Sequence, residues 1–586
     1  MKLLPKGVAS FPALRYKDFL YADKTRLLYE LVNLQQPFFL SRPRRFGKSL
    51  TVSVLKAILE GRRELFKGLW IDSSDYDWRP YPVIHLSLSS IKTDSLDSVN
   101  KSLLSRLQLI ALREKLSFNL ATPDNETSQD NVASSNNKAN PNDLNLDDPV
   151  DFFQYLIYGL FYKYNQSPVA ILIDEYDAPI LSEIAQPELA DQIRKVLKKF
   201  YGVLKDSEEY RGFTFITGVT KFTKTSIFSD LNNLEDLTVN DDYSSICGFT
   251  IDEFDSLFQD HLAQALIKMK SKGRLEPAAT VADLRGKILE WYDGYSWDGV
   301  TRVLNPWSLL SFFYKARFSN FWFESGTPTF LVDLIRARRM DLNFFRADNF
   351  ISEELNNVDV DNFEPGPLMF QTGYLTIRTD APPDEDDNYN LVFPNLEVKA
   401  SLAPLLLSLK KPLKDQLLMK RQALAVKACL FQRDVSGFQS AFESFIANFP
   451  YQIHQAREFF YQALFISAMA LADQYFESEL SVAGGRIDLH LKEPRGDDYV
   501  IEIKIREAEE DLEKKTQEAF DHKETRKYHL KFQGAGNQIW KIALVIGGAR
   551  DINIRFELAS NWLLTRDNIF FTVKGPAKVA ASKTPA

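Results

Sequence analysis

The sequence is poor in cysteine and has no long apolar run. Only Cys247 and Cys429 are present, far apart in the chain, which excludes a zinc knuckle and suits a reducing compartment. The most apolar window, residues 461–476, is too short and too polar to span a bilayer. The start of the chain lacks the long apolar core of a signal peptide. These absences predict a cytoplasmic protein without membrane contact.

A surplus of basic charge is also missing. The net charge is −8, which argues against a surface coated with cations for non-specific nucleic-acid binding, although local basic grooves are compatible with it.

The length of 586 residues predicts several domains. Residues 120–148 are rich in Asn, Asp, Ser and Pro and predict a disordered insertion, and residues 576–586 predict a disordered tail.

Apolar segments that alternate with helical periodicity organise the first part of the chain. These predicted strands cover residues 37–41, 81–90, 168–180 and 211–222. Strands separated by long helical stretches predict an α/β fold, in which crossover helices connect the strands of a parallel sheet.

The pattern changes twice after this first part. Residues 251–440 are mostly helical and rich in aromatic side chains, and after residue 440 a helix leads into further strands. We therefore predict an α/β domain over residues 1–250, a helical lid and connecting region over 251–440, and a second α/β domain over 441–575.

A phosphate-binding loop is indicated where the first predicted strand runs into a helix. Gly47, Lys48 and Ser49 end the usual Gly-x-x-x-x-Gly-Lys-Ser/Thr pattern, but Arg42 stands where the first glycine is expected. Backbone amides at the helix start would hold phosphates, Lys48 would reach the β- and γ-phosphates of ATP, and Ser49 would bind Mg²⁺. A solvated basic turn is the alternative.

Two arginines within this loop have an open role. Arg44 and Arg45 place cationic groups beside the expected phosphates. They could clamp the γ-phosphate, or they could pair with acids or a partner across the loop.

A pair of acids supplies the second half of the predicted site. Asp174 and Glu175 end an apolar strand, where the ligand edge of an open α/β sheet is expected. Asp174 would hold Mg²⁺ through water, and Glu175 would polarise the attacking water. Thr217 and Thr220 end the next strand and are candidates for sensing the γ-phosphate. Acids that only cap a following helix are the alternative.

Several motifs in the same order resemble the AAA-ATPase-like domain of a large, mostly bacterial family. They are "YADKTRLLYELV", "FFLSRPRRFGKSL", "ILIDEYDAPI", "FITGVTKF" and "YDGYSWDG", and the resemblance covers about residues 5–320. It implies an AAA/ASCE-type P-loop fold, in which the arginine-rich loop is the normal form. It also implies that a PD-(D/E)XK nuclease-like domain follows.

The C-terminal region carries a second set of polar residues. In consecutive strand patterns, Asp488 lies on one strand, and Glu502 and Lys504 share a face of the next. Two carboxylates and a lysine suit phosphodiester cleavage assisted by Mg²⁺ or Mn²⁺. A solvated hairpin face is the alternative, and His490 is interpreted as a neighbour on the strand face.

This set resembles the site of PD-(D/E)XK nucleases, which have a restriction-endonuclease-like α/β fold. The resemblance implies an additional metal-binding acid at Glu458 and a polar position at Gln517. The combined prediction is an ATPase that controls a metal-dependent nuclease, with DNA favoured over RNA and a homo-oligomer possible. An ATP-driven switch with an inactive nuclease fold is the alternative.

Overall fold

The computed structural model describes most of the chain. The described residues are 1–116, 144–184, 186–222, 227–228, 231, 233–326, 350–351, 354–355, 365–379, 388–401, 414–448, 458–472, 476–482, 485–493, 496–507, 510–521, 538–548 and 551–558. The predicted tail, and the predicted insertion up to residue 143, lie outside them. The chain divides into two compact units, Met1–Lys411 and Pro412–Ala586.

A parallel sheet forms the centre of the first unit. Its strands are β1 (Pro37–Ser41), β2 (Val83–Ser87), β3 (Val169–Asp174), β4 (Arg211–Gly218) and β5 (Glu235–Asp236). Their order in the sheet is β2-β3-β4-β1-β5, and every pairing is parallel. Each residue of β1 and β3 is buried, as expected for strands that are covered on both faces.

Two helices precede the first strand, α1 (Phe11–Tyr16) and α2 (Thr25–Leu34). The helices between the strands are α3 (Lys48–Leu59), α4 (Leu96–Arg113), α5 (Pro149–Lys163), α6 (Ala178–Ser182) and α7 (Pro187–Asp206). The helix α5 begins where Asp148 accepts hydrogen bonds from the amides of Val150 and Asp151. This topology confirms the predicted AAA/ASCE-type α/β fold, because β4 separates the strand of the phosphate loop from the strand of the acids.

The region after the sheet is mostly helical, as predicted. Its helices are α8 (Ile251–Leu257), α9 (Gln259–Ser271), α10 (Val281–Tyr292), α11 (Pro306–Lys315), α12 (Phe321–Gly326) and α13 (Pro365–Thr372). Its strands form two-residue ladders: β6 (Phe249–Thr250) with β7 (Val303–Leu304), β8 (Phe350–Ile351) with β10 (Asn388–Tyr389), and β9 (Thr376–Ile377) with β11 (Leu391–Val392).

The second unit is a mixed sheet with helices. The strands are β12 (Phe476–Val482), β13 (Gly485–Lys492), β14 (Asp498–Ile505), β15 (Ile539–Gly548) and β16 (Asp551–Leu558), in that order across the sheet. Only β14 and β15 pair in parallel. The helices are α14 (Lys414–Gln432), α15 (Val435–Ile446), α16 (Glu458–Leu471) and α17 (Leu512–Asp521).

The second unit begins before the predicted domain does. The predicted boundary between residues 440 and 441 falls within α15, a helix whose buried phenylalanines pack against α14 and α16. No helix in the described part of the chain has the length and apolar character needed to cross a membrane.

Candidate functional sites

The phosphate loop connects β1 to α3. Gly47 adopts a φ of 107°, which favours glycine, and α3 begins at Lys48 immediately after it. The Lys48 ammonium donates hydrogen bonds to the carbonyl oxygens of Arg42 and Pro43, at 2.7 and 3.0 Å. Burial lowers the pKa of Lys48, and the negative charges of Asp174 and other nearby acids oppose that shift. Lys48 is therefore held inside the loop by two carbonyl oxygens, where the charges of the acids act on it.

Arg42, which replaces the usual glycine, is a buried structural residue. Its guanidinium donates to the carbonyl oxygens of Ser41, Thr238 and Tyr243, at 2.9, 2.7 and 3.3 Å. The guanidinium carbon also lies 4.2 Å from the ring centroid of Trp297. Burial lowers the pKa of Arg42 to about 10. The loop therefore has a long anchoring side chain where the common pattern has none.

The two other arginines of the loop have different surroundings. Arg45 is exposed, and its guanidinium carbon lies 4.5 Å from the ring centroid of Trp307. Arg44 is half-buried, and its positive charge acts to lower the pKa of Glu175. Arg45 therefore contacts an aromatic ring across the loop, whereas the charge of Arg44 acts on Glu175.

The acids lie at the carboxyl edge of the sheet, as their sequence position predicts. Asp174 ends β3 and is buried, and it accepts a hydrogen bond of 3.3 Å from the hydroxyl of Thr217 on β4. Glu175 follows in the left-handed region, at φ 55°. Burial raises the pKa of Glu175, and the charge of Lys48 opposes this shift. The structure thus brings Lys48, Asp174, Glu175 and Thr217 to one edge.

A residue that the sequence reasoning missed holds this edge together. Asp177 is buried, and its Oδ2 accepts hydrogen bonds from the amide of Val219 and from the amide and hydroxyl of Thr220, at 2.9, 2.7 and 2.8 Å. The hydroxyl of Thr220, predicted to sense phosphate, is thus engaged by Asp177. In the sequence, the only sign of this role was that Asp177 is a third acid, three residues after Asp174 at the end of the same strand.

Glycine is required at Gly218, next to this network. A Cβ there would lie 2.6 Å from the ring of Tyr176 and 2.8 Å from Oδ1 of Asp177. The Tyr176 hydroxyl donates to the carbonyl oxygen of Thr220 and accepts from the amide of Phe222. The loop after β3 and the loop after β4 therefore pack as one unit.

The second candidate site lies on β13 and β14. These strands pair in antiparallel fashion, with Leu489 opposite Ile501, and continuing the register by one residue sets Asp488 opposite Glu502. Glu502 is buried, and its Oε1 lies 3.1 Å from Nζ of Lys504. A solvated hairpin face is thereby excluded for Glu502, because its carboxylate is buried and ion-paired.

The other predicted residues of this site have separate positions. Glu458 begins α16, and the structure describes the backbone but not the side chains of Glu458 and Asp488. Gln517 is exposed on α17 and donates to Asp521 on the same helix. His490 is buried, with its Nε2 2.9 Å from Oδ1 of Asp498, so it is a neighbour on the strand face as interpreted.

Comparison with known proteins agrees with both folds. Residues 5–228 match the family model described as predicted AAA-ATPase, and residues 456–556 match that of the PD-(D/E)XK nuclease superfamily. The chain is 34% identical over 512 residues to the "Uncharacterized protein in vnfD 5'region" of Azotobacter chroococcum mcd 1, covering 86% of this chain and 89% of that protein. It belongs to this family of AAA-ATPase-like proteins with a C-terminal PD-(D/E)XK nuclease domain.

No solved structure matches the chain. The extent of the AAA-ATPase match bears on the surroundings of the phosphate loop. The AAA-ATPase match ends at residue 228, whereas Trp297 and Trp307, which contact the phosphate loop, lie beyond it. Part of the surroundings of this AAA-ATPase-like loop is therefore supplied by the helical region.

Proposed function

We propose that the protein binds and hydrolyses ATP and that its ATPase domain controls a metal-dependent nuclease domain acting on nucleic acid, with DNA favoured over RNA. The observation that carries the proposal is that each domain brings a lysine and carboxylates together where the chemistry is expected. The charges of Asp174 and Glu175 act on Lys48 in one domain, and Glu502 pairs with Lys504 in the other. A cytoplasmic location and a possible homo-oligomer belong to the same proposal.

In the ATPase site, the roles follow from position. Gly47 and the amides at the start of α3 would hold the phosphates, with Lys48 on the β- and γ-phosphates. The hydroxyl of Ser49 and the buried carboxylate of Asp174 are oxygen donors that suit Mg²⁺, which when bound neutralises phosphate charge. Glu175 would accept the proton of the attacking water, and burial raises its pKa in the direction that a general base requires.

In the nuclease site, Asp488 and Glu502, with Glu458 as a third acid, would hold Mg²⁺ or Mn²⁺. Carboxylate oxygens are the donors these ions prefer, and the buried position of Glu502 fits that role. The bound ion would lower the pKa of a water molecule. Lys504 would position that water or stabilise negative charge on the phosphate, and Gln517 is a proposed accessory position.

The test uses the purified full chain with Mg²⁺ or Mn²⁺, ATP, and DNA and RNA substrates. We expect Lys48→Ala to abolish phosphate release from ATP and to change the rate of cleavage. Asp488→Ala should abolish cleavage and leave phosphate release intact. Glu557→Ala, which alters an exposed acid on β16, is the matched control. Cleavage that survives Asp488→Ala would refute the nuclease site, and cleavage indifferent to Lys48→Ala would refute control by ATP.

An ATP-driven switch with an inactive nuclease fold is the second candidate. In this alternative the ion pair between Glu502 and Lys504 would be a structural charge pair of the fold and would take no part in chemistry. It predicts metal-independent binding of nucleic acid by the wild-type chain and no cleavage with either ion.

A further inference from the structure

The phosphate loop contains a residue in a backbone conformation that favours glycine. Arg45 has a φ of 70°. In this region the Cβ of an L-residue approaches its own backbone, and only glycine enters it without a steric penalty. Arg45 lies three residues before Lys48, so its backbone directs the amides that lead into α3. Something in the structure must compensate this penalty.

The side chain of Arg45 contacts one aromatic ring. Its guanidinium carbon lies 4.5 Å from the ring centroid of Trp307, the second residue of α11. Trp307 is fixed by a hydrogen bond of 3.0 Å from its Nε1 to the carbonyl oxygen of Phe321. Nζ of Lys6 lies 4.7 Å from the same ring. The hydrogen bond orients the ring, and the Arg45 guanidinium lies over its face.

Adjacent residues of the loop are held by the same region. Phe46 is buried, with its ring centroid 4.7 Å from that of Tyr295 and 5.4 Å from that of Trp297. The indole Nε1 of Trp322 donates to the carbonyl oxygen of Arg44 at 3.1 Å. Aromatic side chains of residues 295–322 thus contact the loop on both sides of Arg45.

We propose that Trp307 is a positioning residue for the phosphate site. Its contact with the Arg45 guanidinium holds the loop backbone in the left-handed conformation that glycine would adopt unaided. This inference rests on the proposed binding of ATP and deepens it. In this proposal Arg45 affects ATP binding through the conformation of the loop backbone. A phosphate clamp would instead bind the phosphate through the positive charge of Arg45.

A comparison of glycine with alanine at residue 45 separates the two actions. Both substitutions remove the guanidinium, but only glycine accepts the positive φ without cost. We expect Arg45→Ala to weaken ATP binding by about three- to fivefold, and Arg45→Gly to stay within about twofold of the wild type. Because Asp174 and Glu175 are untouched, turnover at saturating ATP should change little, so the effect appears in KM and not in kcat.

The Trp307 variants complete a double-mutant cycle. Trp307→Ala should weaken ATP binding about as much as Arg45→Ala, and Trp307→Phe, which keeps an aromatic face, should restore most of the affinity. In the Arg45→Gly background, Trp307→Ala should have no further effect. Arg79→Ala is the matched control, since Arg79 also lies over an aromatic ring, 5.8 Å from Tyr81, just before β2.

The measurement is ATP affinity by titration calorimetry on the full chain, with thermal unfolding to verify folding. Equal losses in Arg45→Gly and Arg45→Ala would overturn the inference and assign Arg45 to the phosphate through its charge. So would unchanged affinity in Arg45→Ala. Suppose that the wild type binds ATP, that Lys48→Ala does not, and that both Arg45 variants bind ATP with wild-type affinity. In that case only this inference fails. A folded wild type that binds no ATP overturns the proposed function as well.

Discussion

The carboxylate of Asp177 holds Thr220 at two points, accepting hydrogen bonds from its amide at 2.7 Å and from its hydroxyl at 2.8 Å. The contact joins the loop that carries Glu175 to the loop that follows β4. That second loop continues to Lys221, whose amide donates to Oε1 of Gln371 on α13 at 2.7 Å. The acid that would activate water is thus connected through Asp177 to the helical region.

Removal of Asp177 should destabilise the first unit. Asp177→Ala leaves the buried amides of Val219 and Thr220 without this acceptor, which costs about 2–4 kcal/mol in free energy of unfolding. Thr220→Val removes only the hydroxyl and should cost about 1 kcal/mol. Thermal unfolding checks both. Asp191→Ala, at a surface ion pair, is the control, and an equally small loss in Asp177→Ala would contradict the role of this contact.

The rate of ATP hydrolysis should fall on the acidic side of its pH profile, with a midpoint above pH 4.5, the ordinary pKa of a glutamate. The reason is that burial raises the pKa of Glu175. Turnover needs the deprotonated carboxylate, so it falls as pH decreases through that raised pKa. Arg44→Ala removes a positive charge that lowers this pKa and should move the midpoint to higher pH. Turnover measured against pH at saturating ATP checks this, and an unmoved midpoint would place Arg44 away from Glu175.

The same shift has a defined effect on stability. The folded protein binds the Glu175 proton more tightly than the unfolded chain between pH 4.5 and the raised pKa. The contribution of this group to stability is therefore fully present below about pH 4.5 and is lost as pH rises through the raised pKa. Glu175→Gln should remove this dependence and slow turnover by about 10²–10⁴-fold while ATP still binds.

Restoring the glycine of the common loop pattern should harm this protein. Arg42→Gly removes a buried guanidinium that donates to three carbonyl oxygens, and it leaves a cavity beside Trp297. We expect a loss of about 3–5 kcal/mol in free energy of unfolding and no gain in ATP affinity. Chemical unfolding and calorimetric titration measure the two. Tighter ATP binding by Arg42→Gly would show that the arginine obstructs the site.

The ion pair of the second site predicts how metal affects stability. Lys504→Ala removes a cation that pairs with the buried carboxylate of Glu502, so the variant should unfold at a lower temperature. Mg²⁺ or Mn²⁺ should then raise the unfolding temperature of Lys504→Ala more than that of the wild type, since the ion replaces the missing charge. Lys541→Ala on the adjacent strand β15 is the control. An equal response to metal would argue against a metal site at Glu502.

Local pattern was sufficient for the architecture and for the position of most site residues. Apolar runs predicted β1, β3 and β4, and their ends located Lys48, Asp174 and Glu175 because parallel strands present their carboxyl ends at one edge. Alternation in β13 and β14 likewise set Glu502 and Lys504 on one face. These features depend on residues that are close together in the sequence, so the sequence alone is enough to predict them.

The contacts of three residues were decided only by tertiary structure. The sequence alone left Arg42 as a gap in a motif, Arg45 as a candidate for phosphate, and Thr220 as a candidate sensor. Their partners are Trp297, Trp307 and Asp177, which lie far from them in the chain. The packing of distant segments decides which aromatic ring an arginine contacts and which hydroxyl a buried carboxylate binds. Spacing within a motif carries no information about that packing.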